Sequence, residues 1–394
     1  MTYKKRTIET AISAALSRGK SILLLGPRQT GKTTMLKMFQ PDMSVNLART
    51  DERRFYEADP SRLRCEIASL PRPANRAIPL VMLDEIQLVP ALLDEAQTII
   101  DSHAAQFALT GSSARKLRRA GVNLLPGRVV SLKMDPLSIA ESPDVPLDRR
   151  LAYGAMPGIM SVPDDKSRQL DLDSYVDTYL QEEIRQEAIV RNLGAFARFL
   201  DLAASDSGLI VNFSDLASRI GVTHTTINSY YGILEDCLIA ERVEPISASP
   251  VRKRLTKSPR HLFFDLGVRR VAAREDENAA ETEKGRRFEQ FVGLELLRHI
   301  RSNAITSARL RFWRDPAGPE VDWVVERGGK FIPVEVKYRE TPTLSDARHL
   351  RTFMREYPTD GIGYIVCRAP RPQRLASDIL ALPWQQLPSV FDNP

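Results

Sequence analysis

Cysteine and histidine are scarce in this 394-residue chain, with three of the first and five of the second. Cys65, Cys237 and Cys367 lie far apart and form no C-x-x-C pair. That excludes a disulfide framework and a cysteine-based zinc site, and fits reduced, mostly buried thiols. Long hydrophobic runs are also missing. The longest hold four residues, 22–25 among them, against the ~20 that a membrane-spanning helix needs. The opening M-T-Y-K-K-R-T-I-E-T is basic but lacks an apolar stretch of signal-peptide length. A cytoplasmic chain with no membrane partner is therefore expected. Internal repeats and low-complexity tracts are absent as well.

What is present is ordinary for a folded chain: 43% hydrophobic and 27% charged residues. At roughly 150 residues per domain, the length suggests two or three domains. The net charge is +6, and its placement says more than its size. Residues 113–134 hold Arg115, Lys116, Arg118, Arg119, Arg128 and Lys133 without an acid. Residues 242–270 hold eight basic residues against two acids. Such clusters suit phosphate-facing surfaces, or else solvated helix faces.

Three regions emerge along the chain. Residues 1–145 alternate short apolar runs, at 21–25, 43–47, 79–83, 106–109 and 128–134, with helical stretches; this predicts βαβ units and a parallel sheet. Residues 146–271 read as helical. Residues 272–284, A-A-R-E-D-E-N-A-A-E-T-E-K, read as an acidic linker or exposed loop. A helix at 285–300 and strands near 310–313, 321–325, 331–337 and 363–366 make 285–394 an α/β or α+β domain.

The segment Gly26-Pro27-Arg28-Gln29-Thr30-Gly31-Lys32-Thr33 fits G-x-x-x-x-G-K-[ST] between a predicted strand and a predicted helix at 33–39. Its glycines let successive backbone N–H groups turn toward an anion, and the helix start adds a positive dipole end. Lys32 then reaches the β- and γ-phosphates, Thr33 ligates Mg²⁺, and Thr34 continues the phosphate-binding turn of an ATP site. A second run, L-V-M-L, ends in Asp84 and Glu85. Asp84 is expected in the Mg²⁺ shell and Glu85 as the base that polarises the attacking water. Thr110 and Ser112, in L-T-G-S-S, fall at the sheet edge where ligands bind; orienting water or sensing the γ-phosphate suits them, and helix capping by Ser112 or Ser113 is an equally good account. Arg128, in L-P-G-R, suits either an arginine finger offered to a neighbouring subunit or an intramolecular ion pair.

Residues 213–228 read as helix, glycine turn, helix, with Thr223 as N-cap and a strand of winged-helix type following. In a DNA-binding version His224, Thr225, Asn228 and Ser229 face bases, and the basic stretch 252–257 follows the phosphates. A packing module is the alternative. Toward the C-terminus, Glu289 lies on a helix, Asp322 in an apolar strand, and Glu335 with Lys337 in P-V-E-V-K. Residues two apart in a strand share a face, so Glu335 and Lys337 project together. Three acids around a point hold Mg²⁺ or Mn²⁺, and the lysine activates water or offsets developing phosphate charge.

Together G-P-R-Q-T-G-K-T, L-D-E-I-Q, L-T-G-S-S, L-P-G-R and Y-G-A-M-P-G resemble the AAA+-type P-loop ATPases of bacteria and archaea. Those proteins carry a C-terminal domain of unknown function whose end is similar to restriction-endonuclease-like PD-(D/E)XK folds. The resemblance implies an AAA+-like parallel sheet, a helical and winged-helix middle and a nuclease-like α/β domain. It matches Asp322, Glu335 and Lys337 to the nuclease motif and Glu289 to its helix acid, although Val321 rather than proline precedes Asp322. The resulting expectation is a Mg²⁺-dependent ATPase that binds nucleic acid, chiefly DNA, as a homo-oligomer, and couples ATP hydrolysis to remodelling or cleavage. The alternatives are a nucleotide-gated regulator with a silent nuclease-like domain, and a protein-remodelling ATPase.

Overall fold

The computed structural model describes residues 3–71, 73–74, 76–113, 125–180, 192–246, 255–277, 280–316 and 318–392 of the chain. The N-terminal unit is built on five strands: β1 (Ser21–Leu25), β2 (Met43–Asn46), β3 (Leu80–Asp84), β4 (Gln106–Gly111) and β5 (Val129–Lys133). All pair in parallel, in the order β2-β3-β4-β1-β5. The uninterrupted apolar runs of β1, β3 and β4 are explained by burial on both faces. Leu23, Val81, Leu83, Phe107 and Leu109 pack on one side of the sheet. Ile22, Leu24, Leu80, Met82 and Ala108 pack on the other. Because the strands are parallel, the loops after β1, β3 and β4 meet at one edge, with β4 between the other two.

The middle of the chain is helical. Its helix–turn–helix comprises Phe213–Ile220 and His224–Asp236. Gly221 ends the first helix with φ +79°, and the Thr223 hydroxyl accepts the Thr226 N–H at the start of the second. β6 (Ala240–Pro245) and β7 (Arg260–Phe263) follow as an antiparallel pair. β6 also runs parallel to β8 (Ala308–Arg314). The pair thereby extends a mixed sheet with β9 (Glu320–Arg327), β10 (Lys330–Val336), β11 (Gly363–Cys367), β12 (Gln373–Ala376) and β13 (Ile379–Pro383). The order is β12-β13-β11-β10-β9-β8-β6-β7. The regions expected at 146–271 and 285–394 thus share one sheet, and Val243 and Leu262 pack with Phe288, Phe312 and Trp323, while the helices of the middle region keep a core of their own around Phe199, Tyr231 and Phe263.

The described residues of the segment 272–284, read as a linker or exposed loop, are largely exposed but are not free of the fold. Glu275 and Glu283 pair with the buried Arg269 and Arg287, and Glu277 accepts from Tyr153. Nor do all the basic residues of 242–270 form a phosphate-facing surface. Arg260, Arg269 and Arg270 are buried. Arg269 donates to the Ala204 and Ser205 carbonyls and Arg270 to that of Ala152, partners that satisfy a buried cation. Arg115, Lys116, Arg118, Arg119, Arg252, Lys253 and Arg254 lie outside the described residues. Among the described residues, no helix is long and apolar enough to cross a membrane.

Candidate nucleotide and carboxylate sites

The loop after β1 is held by backbone contacts on both sides. Gly26 N–H donates to Gly111 O (3.2 Å), and Met134 N–H to Leu25 O (2.7 Å). A Cβ at Gly26 would lie 2.4 Å from Met134 O, so only glycine fits there. Gln29 and Gly31 take left-handed conformations, φ +62° and +95°, before the helix Lys32–Lys37 begins. Pro27 is buried, Arg28 half-buried and Gln29 exposed. The buried Thr30 closes the turn by donating to Pro27 O at 2.8 Å. Lys32 Nζ rests on the loop's own carbonyls, Gly26 O (2.8 Å) and Pro27 O (2.9 Å). Thr34 is exposed at the mouth.

The acids of β3 meet this loop through hydroxyls. Thr33 Oγ1 donates to Asp84 at 2.9 Å, and Thr110 Oγ1, from β4, donates to Asp84 Oδ1 at 2.6 Å. Thr110 Oγ1 accepts the Glu85 N–H at 2.9 Å. Glu85 itself has φ +59°, a left-handed backbone that costs a non-glycine residue about 1–3 kcal/mol and recurs at functional sites. That turn brings its carboxylate onto Ser112 Oγ, which donates at 2.8 Å, and onto Gln87 Nε2. Gln87 Nε2 also donates to Ser112 Oγ at 2.9 Å, and its buried Oε1 has no partner. Thr110 and Ser112 thus hydrogen-bond the two acids, while the residues that a cap by Ser112 or Ser113 would serve, from 114 on, lie outside the described residues. Gln87 was missed by sequence reasoning, although it stands inside the L-D-E-I-Q run.

Arg6 was missed too, since one basic residue among several near the N-terminus carries no pattern. Buried, it donates from Nη1 to Thr30 O (2.9 Å) and from Nη2 to Asp135 O (2.6 Å), and its Nε lies 3.1 Å from Glu141. Burial alone would raise the Glu141 carboxyl; Arg6 and two backbone amides outweigh it and hold Glu141 below the usual range. Beside the loop lies a cavity of about 380 Å³ whose walls include Thr30, Gly31, Thr34, Met134, Leu137 and Pro157.

Arg128 is paired within the chain. It opens onto β5 beside Val129, which pairs with Ser21, whereas the P-loop follows Leu25, the partner of Lys133. It therefore sits at the sheet edge opposite the loop, ~20 Å away at ~3.3 Å per residue. There its Nε and Nη2 take both oxygens of Asp101, at 2.6 and 2.9 Å. The intramolecular ion pair is the arrangement found; a finger would act on a neighbouring subunit, so neither this pair nor the distance to the chain's own loop bears on that role.

At the C-terminal sheet, Asp322 on β9 and Glu335 on β10 come together. Asp322 Oδ2 accepts the Val336 N–H at 2.8 Å, and Lys337 Nζ donates to Glu335 Oε1 at 2.6 Å. Burial and then Glu335 push the Asp322 carboxyl well above its usual range. Burial, with Glu289 and Glu320 adding repulsion, raises Glu335 to about 7 against the pull of Lys337. Burial works against the Lys337 ammonium, but Glu335 and Asp322 outweigh it and raise it. Glu335 Oε2 is buried without a partner. Two mutually repelling buried carboxylates with a free oxygen suit a divalent cation.

The third acid is withdrawn from them. Glu289 Oε1 pairs with Arg260 Nη1 at 2.6 Å. Among the described residues, no group of three or more His, Cys, Asp or Glu side chains is placed to hold a metal ion. The helix Glu281–Ser302 lies tight on β9 because Gly293 leaves room for Trp323, whose ring would stand 2.7 Å from a Cβ there. Trp323 Nε1 donates to Glu289 O at 2.9 Å, and the Arg260 guanidinium stacks on Phe312 and Trp323, 4.6 and 5.1 Å from their ring centres. In the sequence Arg260 is only one member of a basic cluster. In the helical middle, His224, Thr225, Asn228 and Ser229 are all exposed.

Comparison with known proteins agrees with these regions. Residues 18–142 match the family described as AAA domain. Residues 146–279 match the domain of unknown function DUF8612, and 284–387 the domain of unknown function DUF4143. An uncharacterized protein of Mycobacterium tuberculosis is 25% identical over 353 residues, covering 88% of this chain and 76% of that protein. An uncharacterized protein of Haemophilus influenzae is 23% identical over 284 residues, covering 68% and 67%. Among solved structures, the Aeropyrum pernix ORC1 protein in complex with DNA aligns at a TM-score of 0.26 and 16% identity, covering 68% of this chain and 91% of that one. The N-terminal unit is an AAA-type P-loop ATPase domain, followed by a helical middle and a mixed-sheet region of the DUF4143 kind.

Proposed function

We propose that the chain is a Mg²⁺-dependent ATPase that binds nucleic acid, DNA foremost, and couples ATP turnover to remodelling or cleavage of phosphodiester bonds at the C-terminal carboxylates. The observation that carries the ATPase half is the pair of clusters at one sheet edge: Thr33–Asp84–Thr110, and Glu85–Ser112–Gln87. Lys32 leaves the loop carbonyls for the phosphates, Thr33 and Asp84 would hold Mg²⁺, and Glu85 takes the proton of the attacking water. The apolar cavity beside Thr30, Gly31 and Thr34 receives the base.

Support for nucleic acid is the exposed face of the second helix of the helix–turn–helix and the basic stretch 252–257. Binding through phosphates weakens with salt as counterions are released. Replacing Arg252, Lys253 and Arg254 by alanine is expected to lower duplex affinity and to flatten the log–log salt slope by about 0.9 for each phosphate no longer neutralised. An unchanged slope in a filter-binding titration would place the phosphate-binding surface elsewhere.

For the C-terminal centre, Asp322 and Glu335 would hold Mn²⁺ or Mg²⁺, with Lys337 beside the attacking water. Because Glu335 is raised to about 7, its proton stabilises the metal-free fold at acid pH, and that stability is lost as pH rises through about 7. Mn²⁺ is then expected to raise the melting temperature at pH 8 and much less at pH 6, with no effect in Asp322→Ala/Glu335→Ala. A shift that survives the double replacement puts the metal elsewhere. The Glu289–Arg260 pair favours a second reading, a nucleotide-gated regulator with a silent centre. A Mn²⁺ nuclease assay over duplex, single-stranded and branched DNA and RNA separates the two.

A further inference from the structure

Val243 and Arg260 are paired across β6 and β7, as are Glu241 and Leu262. Paired residues share a face, and so do residues two apart, so Glu241 and Arg260 project from the same side of the ribbon. Both meet the helix Glu281–Ser302. Glu241 takes Arg301, and Arg260 takes Glu289 at 2.6 Å. The two helix positions are twelve residues apart, ~18 Å along a helix rising 1.5 Å per residue. The acid of the ribbon thus meets a base of the helix, and its base meets an acid of the helix.

At the Arg260 end the contact is enclosed. Arg260 is 5% exposed, sandwiched on Phe312 and Trp323, and its Nη1 also lies 3.4 Å from the Asp322 carbonyl. Glu289 stands close enough to Asp322 and Glu335 for its charge to act on both carboxyls. Its own carboxylate is committed to the guanidinium.

We propose that Arg260 is a positioning residue of the carboxylate centre: supplied by β7, it holds Glu289 away from Asp322 and Glu335, so that the resting protein binds a divalent cation through two carboxylates and gains the third only when the Arg260–Glu289 pair opens. The proposal rests on the reading that Asp322 and Glu335 form a metal site. It changes what Glu289 does there, from a resident ligand to a reserve one. The other end of the same ribbon touches the ATPase domain: Glu241 also pairs with Lys133, at the end of β5, and Arg301 pairs with Asp135 at 3.0 Å.

The test is Mn²⁺ affinity of the full-length protein, measured by calorimetry without nucleic acid. Glu289→Gln is expected to leave wild-type affinity within twofold, because Glu289 is not a ligand at rest. Arg260→Met frees Glu289 and is expected to tighten Mn²⁺ binding at least tenfold. The double variant Arg260→Met/Glu289→Gln is expected to return to the wild-type value, a reversal that a merely structural role for Arg260 would not produce. Tenfold weaker binding in Glu289→Gln overturns the proposal, as does Arg260→Met binding no more tightly than wild type. If Arg260→Met does not fold, Glu289→Gln alone decides. Unaltered binding in Asp322→Ala/Glu335→Ala instead removes the metal site on which the proposal stands, so the two failures are distinguishable.

Discussion

Glu85→Gln is expected to cut ATP turnover about 100- to 10,000-fold, the range a positioned general base supplies, while leaving nucleotide affinity nearly intact. The reason is local. Glutamine keeps the shape and can still accept from Ser112, but it cannot take a proton from water. Asp84 retains both hydroxyl partners, Thr33 and Thr110, so the cation-binding side of the site survives. The left-handed backbone at residue 85 stays compatible, because the strain belongs to the turn and not to the charge. Phosphate release in steady state together with equilibrium binding of a fluorescent ATP analogue checks both halves. Undiminished turnover removes Glu85 as the base, and failure to bind the analogue shows that it shapes the pocket instead.

The second large effect lies between the regions. Glu241 pairs with Lys133 and Arg301, and Arg301 also with Asp135. These side chains keep only 11–21% of their surface exposed. Burial alone would raise the Glu241 carboxyl, but Arg301 and Lys133 outweigh it and hold it at about 2. Glu241→Ala leaves Lys133 and Arg301 facing each other without the shared acid. The expected cost is on the order of 3 kcal/mol, the low end for breaking a buried pair because water retains some access. Because the folded pKa is depressed, the Glu241 contribution is present above about 4.5 and is lost as pH falls toward about 2. Thermal unfolding from pH 7 to 3 should therefore bring wild type and variant closer together as the acid is protonated. A variant as stable as wild type at pH 7 would mean that the network contributes nothing net.

The fold is readable wherever one element carries its own signal. β1, β3 and β4 announce themselves as unbroken apolar runs because both faces of a parallel sheet are buried, and the phosphate loop as glycines between strand and helix. The turn at 221–223 is readable from a left-handed glycine followed by a capping threonine. What depends on distant partners is not. Arg128 looks free in the sequence because Asp101 precedes it by 27 residues. The acids of 272–284 look solvated because their arginines stand on other elements. Arg260 looks like surface charge until β7 carries it under Phe312 and Trp323. Glu289, Asp322, Glu335 and Lys337 are identifiable by type and order, but not the cation that draws Glu289 away. Strand order also lies beyond local pattern: nothing in L-T-G-S-S says that β4 runs between the loop and the acids, which lets Thr110 and Ser112 serve both.

The most direct test of the central claim is phosphate release from ATP by the purified full-length chain, with and without Mg²⁺ and duplex DNA, beside Lys32→Ala. Lysine 32 is the charge that must leave Gly26 O and Pro27 O for the phosphates. The account predicts Mg²⁺-dependent turnover that DNA increases and that Lys32→Ala abolishes. Mg²⁺-dependent release no greater than that of Lys32→Ala, with or without DNA, would contradict it.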